Sequence, residues 1–140
     1  MALSKQKFRE IVLQLLFSAD FEATSQEEML LFMMKQFAVS RSGMKGAQAS
    51  AEQIVNCKEA IDAQIGEAST EYSLERIPRV EKAILRLGVY ELLHTDLPPE
   101  VAIAEALRLC RKYATGEASR FIHAILDKVY KTCTLRAESS

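Results

Sequence analysis

Between Arg79 and His94 the chain reads RVEKAILRLGVYELLH, with too many apolar residues for a single helical stripe. Val80, Ala83, Ile84, Leu87 and Gly88 recur at helical spacing on one face, while Leu85, Val89, Leu92 and Leu93 cover most of the remaining circumference. A helix that is apolar on nearly all sides needs neighbours on nearly all sides, so this stretch predicts a buried helix surrounded by others. Pro78 stands just before its start, where a missing N–H costs little. His94, Thr95 and Asp96 mark its end, and Pro98-Pro99 cannot continue it.

The rest of the composition agrees with a helical partner set. The chain has 140 residues, of which 49% are hydrophobic, with only 5 Gly and 3 Pro. No run of β-branched residues alternates with polar ones, so the expectation is an all-α chain forming one domain over residues 1–140. A formal net charge of −1 gives no bulk argument for nucleic acid. Locally, Lys5, Lys7 and Arg9 open the chain with no acid among residues 1–9, and further basic groups follow at Arg76–Arg86, Arg108–Lys112 and Lys128–Arg136. Most such groups are the solvated faces of helices. Cys57, Cys110 and Cys133 are odd in number and show no C-x-x-C spacing, which fits free, mostly buried thiols in a reducing compartment. No apolar run approaches membrane-spanning length, and the expected location is the cytoplasm.

In chain order, Ser4 is placed to cap a helix to about Asp20, with Phe8, Ile11, Val12, Leu15, Leu16 and Ala19 facing the core. Lys5, Arg9 and Gln14 fall away from that stripe. Ser25 and Glu28 read as a capping box before a second helix from about Gln26 to Val39, whose Met29, Met33 and Met34 fill core gaps. Two glycines and two serines between Ser40 and Gly46 suggest a loop. A third helix should run to about Ile65, with Ile54, Cys57, Ile61 and Ile65 inward, Lys58 and Asp62 toward solvent, and Gly66 as its stop. Ser73 caps a short LERI turn. Beyond the buried helix, Pro98-Pro99 starts one that runs through Tyr113, with Ile103, Leu107, Cys110 and Ala114 on one face. Gly116 then separates a last helix, about Glu117 to Leu135, with Phe121, Ile122, Ile125, Leu126, Val129, Tyr130 and Cys133 inward.

Chemistry-bearing constellations are sparse. His94 and His123 lie on different helices and near no cysteine in sequence, so no metal site is expected. There is neither a Gly-rich phosphate loop nor a nucleophile elbow. Glu91, beside the apolar face, suits a structural ion pair with an arginine of a neighbouring helix, such as Arg108, better than acid–base catalysis. No catalytic residue is assigned, and interaction is the default for such a helical domain.

RVEKAILRLGVYELL, followed by VAIAEALRLCRKYATGEASRFIHAILDKV, resembles the C-terminal half of the NusB family of bacterial transcription antitermination factors, and FREIVLQLLFS resembles its opening helix. The resemblance spans nearly the whole chain. It is specific in the second half and weak between about residues 23 and 72.

It implies an all-helical fold of about seven helices in two packed small bundles, without catalysis or cofactor. It further implies binding of the boxA element in nascent ribosomal RNA, as single-stranded RNA, together with NusE, the ribosomal small-subunit protein, in an RNA polymerase antitermination complex. By the same resemblance the RNA-binding segment falls on Lys5, Lys7 and Arg9; independently of it, polar Gln14 is suited to reading the base edges that unpaired bases present. Partner-contacting residues fall on Glu81 and Glu117, with Arg120 and Phe121 nearby. The family's N-terminal segment is often denser in arginine. Its common Asn stands here as Ala104, and its usual F-V-N-G as Phe121-Ile122-His123-Ala124, where Ala for Gly adds a methyl to a helix interface. The thin basic segment motivates an alternative: a self-associating helical interaction protein, forming a homodimer, with weak or lost RNA binding.

Overall fold

The computed structural model describes residues 3–19 and 26–139. Among these residues there are seven α-helices, one 3-10 turn and no strand. They fall into two compact units, Met1–Asn56 and Cys57–Ser140.

The first unit holds α1 (Lys5–Ser18), α2 (Gln26–Phe37) and α3 (Arg41–Asn56), each in contact with the other two. Ser4 caps α1: its Oγ accepts the Lys7 N–H at 3.1 Å. Ile11, Val12, Leu13 and Leu16 are buried, so the core reaches further round α1 than one stripe; Leu13 belongs to it, whereas Ala19 is exposed. The Ser25 half of the expected capping box lies outside the described residues. In α2, Met33 is fully buried and Met29 and Met34 are half-buried.

The segment Ser40–Gly46 is not a loop. Ala38 takes a left-handed backbone (φ 54°), and the Val39 N–H reaches back to the Met34 carbonyl at 3.0 Å, which ends α2 sharply. Ser40 Oγ then accepts the Gly43 N–H at 3.1 Å and caps α3 at once. Both glycines therefore sit inside a helix, held there by the buried row Met44, Ala47, Ala51 and Ile54.

The second unit is α4 (Lys58–Ala68), the 3-10 turn Leu74–Arg76, α5 (Arg79–His94), α6 (Pro99–Tyr113) and α7 (Ala118–Ser139). The expected helix to Ile65 is broken by a turn at Cys57, so it is two helices rather than one. Gly66 does not stop α4, which runs on to Ala68. α5 has the predicted limits and character. Every residue from Ala83 to Val89 is buried, and α4, α6 and α7 pack around it.

That burial includes Arg86, only 7% exposed. Its Nε and Nη2 donate to the two carboxylate oxygens of Asp62 at 2.8 and 3.0 Å, so Asp62 is not left to solvent but neutralises a buried guanidinium. Arg108 Nε donates to Glu105 of its own helix at 2.5 Å.

α6 turns a different face inward from the one its largest apolar residues suggest. Ala102, Ala106, Leu109 and Cys110 are buried, while Ile103, Leu107 and Ala114 are half-buried flanks. The reason is Gly88. A Cβ there would stand 3.0 and 3.1 Å from the Leu126 methyls and 3.6 Å from the Ala106 Cβ, so α5 meets both neighbours closely, with Leu126 of α7 seated against the glycine and the small Ala106 facing it from α6. On α7, Ile122, Ile125, Leu126 and Val129 are buried, while Phe121, Tyr130 and Cys133 are half-buried.

Candidate functional site

In the first unit, the capped opening of α1 carries the basic residues. Lys5 is exposed, and Lys7, Arg9 and Gln14 are half-buried. With 3.6 residues per turn, Lys5 and Arg9 lie four residues apart on the row that continues into buried Val12 and Leu16. Lys7 and Gln14, seven residues apart, share a row on roughly the opposite side of the helix. The four side chains therefore do not form one stripe outside the core. What the first turns present is a cationic helix start, with a side chain reaching to either side. Such a start attracts a polyanion, because the basic groups and the positive end of the helix dipole act together.

In the second unit, Glu81 stands in the first turn of α5, where a carboxylate is favoured by the helix dipole. It is half-buried, and burial pushes its pKa above the usual carboxylate value.

The turn from α6 to α7 is fastened by fully buried Cys110. Its Sγ donates to the Thr115 carbonyl at 3.4 Å and accepts from Ser119 Oγ at 3.7 Å, while Thr115 Oγ1 accepts the Ala118 N–H at 3.2 Å. Exposed Glu117 and Arg120 are carried by this fastened turn. One turn on, the half-buried Phe121 ring meets Tyr72 in an edge-to-face contact, with centroids 5.7 Å apart and planes at 79°. Glu117, Arg120 and Phe121 are thus local neighbours at the start of α7. Tyr72 was not assigned a role from the sequence, because it lies in a connecting segment with no periodic pattern to place it. Ala104, His123 and Ala124 are exposed, so the Ala124 methyl points away from the helix interface expected to receive it.

Among the described residues no group of three or more His, Cys, Asp or Glu side chains is placed to hold a metal ion, and no helix is long and apolar enough to cross a membrane. The arrangement supplies charge, polar groups and aromatic surface for binding.

The sequence model of the NusB family matches residues 6–131. The chain belongs to the NusB family. A transcription antitermination protein NusB from Anaeromyxobacter sp. (strain Fw109-5) is 37% identical over 130 residues, covering 92% of this chain and 91% of the relative. Solved NusB structures share the fold. T. maritima NusB superposes with a TM-score of 0.77 at 27% identity, over 94% of this chain and 93% of that one. A crystal structure of the antitermination factors NusB and NusE in complex with dsRNA matches with a TM-score of 0.77 at 24% identity, over 91% of this chain and 96% of that one.

Proposed function

We propose that this NusB-family chain is an RNA-binding transcription antitermination factor that binds boxA-type RNA of ribosomal RNA transcripts together with NusE, and that the pair acts within an RNA polymerase antitermination complex. The observation that carries this reading is the family match across residues 6–131, with relatives that are transcription antitermination proteins over almost their full length. The solved NusB–NusE assembly with RNA supplies the two partner classes.

The chain works by binding alone, in the cytoplasm, with no chemical step and no cofactor. Lys5, Lys7 and Arg9 draw in the phosphates, and Gln14 meets a base edge presented by an unpaired strand. Glu81, Glu117 and Arg120 meet charged side chains of NusE, and Phe121 supplies apolar contact. For Glu81 a cation brought by NusE compensates the half-buried carboxylate, which forms no ion pair among the described residues.

The test is a fluorescence-anisotropy titration of boxA-like RNA, single-stranded and duplex, against the chain alone and with NusE at two salt concentrations. Expected is selective binding of the single strand that NusE strengthens. Three neutralised phosphates give a slope of log affinity against log salt of roughly −2, which the triple alanine variant of Lys5, Lys7 and Arg9 abolishes. No preference over a scrambled sequence in the presence of NusE would sink the proposal. The second reading, self-association, has its own observation: Leu31 and Phe32 stand adjacent and exposed on α2, Phe32 at 62%. Light scattering at micromolar concentration decides it, since a strict monomer counts against self-association.

A further inference from the structure

An aromatic side chain that is both exposed and held in place stands out at the start of α7. Tyr72 is 50% exposed, yet its ring packs edge-to-face on Phe121, and its own carbonyl accepts the Ser69 hydroxyl at 2.6 Å. Ring and backbone are each tied down, so little conformational freedom remains to be lost when a partner covers the ring. Glu71 and Glu75 lie one and three residues from it in sequence and Glu117 stands four residues before Phe121; all three are exposed, and none forms an ion pair among the described residues. A half-exposed ring flanked by free carboxylates suits a cation, which the ring quadrupole and the acids attract together. Arg76 and Arg120, also exposed, border the same segment.

We propose that Tyr72, buttressed by Phe121, is an aromatic anchor for an arginine or lysine side chain of the NusE partner, and so extends the partner interface onto the segment between α4 and α5. This rests on the reading that NusE docks at Glu81, Glu117 and Phe121. Interface energy concentrates in a few fixed aromatic and arginine contacts, with charged pairs at the rim tuning approach and orientation. Tyr72 meets that description better than the flexible carboxylates beside it.

The experiment is calorimetric titration of NusE into the full-length chain and its Tyr72→Phe, Tyr72→Leu and Tyr72→Ala variants, with Glu117→Gln as a reference and a thermal melt of each protein. Tyr72→Ala and Tyr72→Leu should each weaken NusE binding roughly 10-fold, while Tyr72→Phe, which keeps the π face, stays within about twofold. Leucine retains apolar area but no quadrupole, so wild-type affinity in Tyr72→Leu overturns the cationic assignment. Wild-type affinity in Tyr72→Ala alongside weakened Glu117→Gln overturns the anchor and leaves the docking site standing. Absence of NusE binding by the unaltered chain overturns both. Should the alanine variant melt early, the phenylalanine and leucine variants still decide between the outcomes.

Discussion

At the scale of single residues, two charged groups drawn out of water serve different ends. Arg86 is a charge that the fold has swallowed, and it is tolerable because Asp62 grips it with two hydrogen bonds of 2.8 and 3.0 Å. Asp62→Ala leaves the guanidinium without that partner in a buried place and should cost about 3 kcal/mol in a urea titration. The paired change to Arg86→Met and Asp62→Leu should recover most of that loss, because it removes both charges at once. Glu81 is the opposite case, a half-buried carboxylate whose pKa burial raises and which has no such grip among the described residues. The folded state binds its proton more tightly than the unfolded chain does. Stability from this group is therefore greatest when it is protonated, and falls as pH rises from the ordinary carboxylate value through the raised one. Glu81→Gln should melt slightly higher than the unaltered chain at pH 7, and the gap should close below about pH 4, where both side chains are neutral. The same substitution should weaken NusE binding, which is how a small instability at a functional acid is recognised.

At the scale of elements, helix ends decided more than helix interiors. α2 stops at a left-handed Ala38 (φ 54°), a conformation that L-residues with a Cβ adopt at a cost of about 1 kcal/mol. Ala38→Gly should raise the stability of the first unit by about 1 kcal/mol, read as a higher urea midpoint with an unchanged slope. The short connection from Ala38 to Ser40 also explains why a run with two glycines forms helix. Once Ser40 has capped α3, the buried row Met44, Ala47, Ala51 and Ile54 outweighs the propensity cost of Gly43 and Gly46, about 1 kcal/mol each. In the second unit the element-level determinant is the close meeting of α5 with α6 and α7 at Gly88, which selects Ala106 over the bulkier Ile103 and Leu107 as the inward residue.

For the molecule as a whole, the proposed RNA contacts all belong to the first unit and the proposed NusE contacts all belong to the second. Substitutions that share no partners add independently. The triple alanine change at Lys5, Lys7 and Arg9 should therefore lower RNA affinity while leaving NusE affinity within about twofold. Glu81→Gln and Glu117→Gln should lower NusE affinity while leaving binding of RNA by the chain alone unchanged. Anisotropy with labelled RNA and calorimetry with NusE separate the two. A loss of both affinities from either set of changes would mean the surfaces are not assigned to the right residues.

What the sequence determined by itself is whatever acts over one or two helical turns. The all-α class, the limits and all-round burial of α5, the cap at Ser4, the start after Pro98 and the separation near Gly116 follow from spacing, caps and proline sterics that any short stretch carries with it. The family resemblance likewise lay in contiguous runs such as RVEKAILRLGVYELL. Tertiary structure alone decided the matters that need two distant stretches at once: that Asp62 turns inward to meet Arg86, that α6 presents its alanines because Gly88 lets helices close in, and that Tyr72 comes to rest on Phe121. Local rules rank each helix face by its own apolar area, whereas a packed interior ranks it by what fits against the neighbour, and that comparison exists only once the bundle has closed.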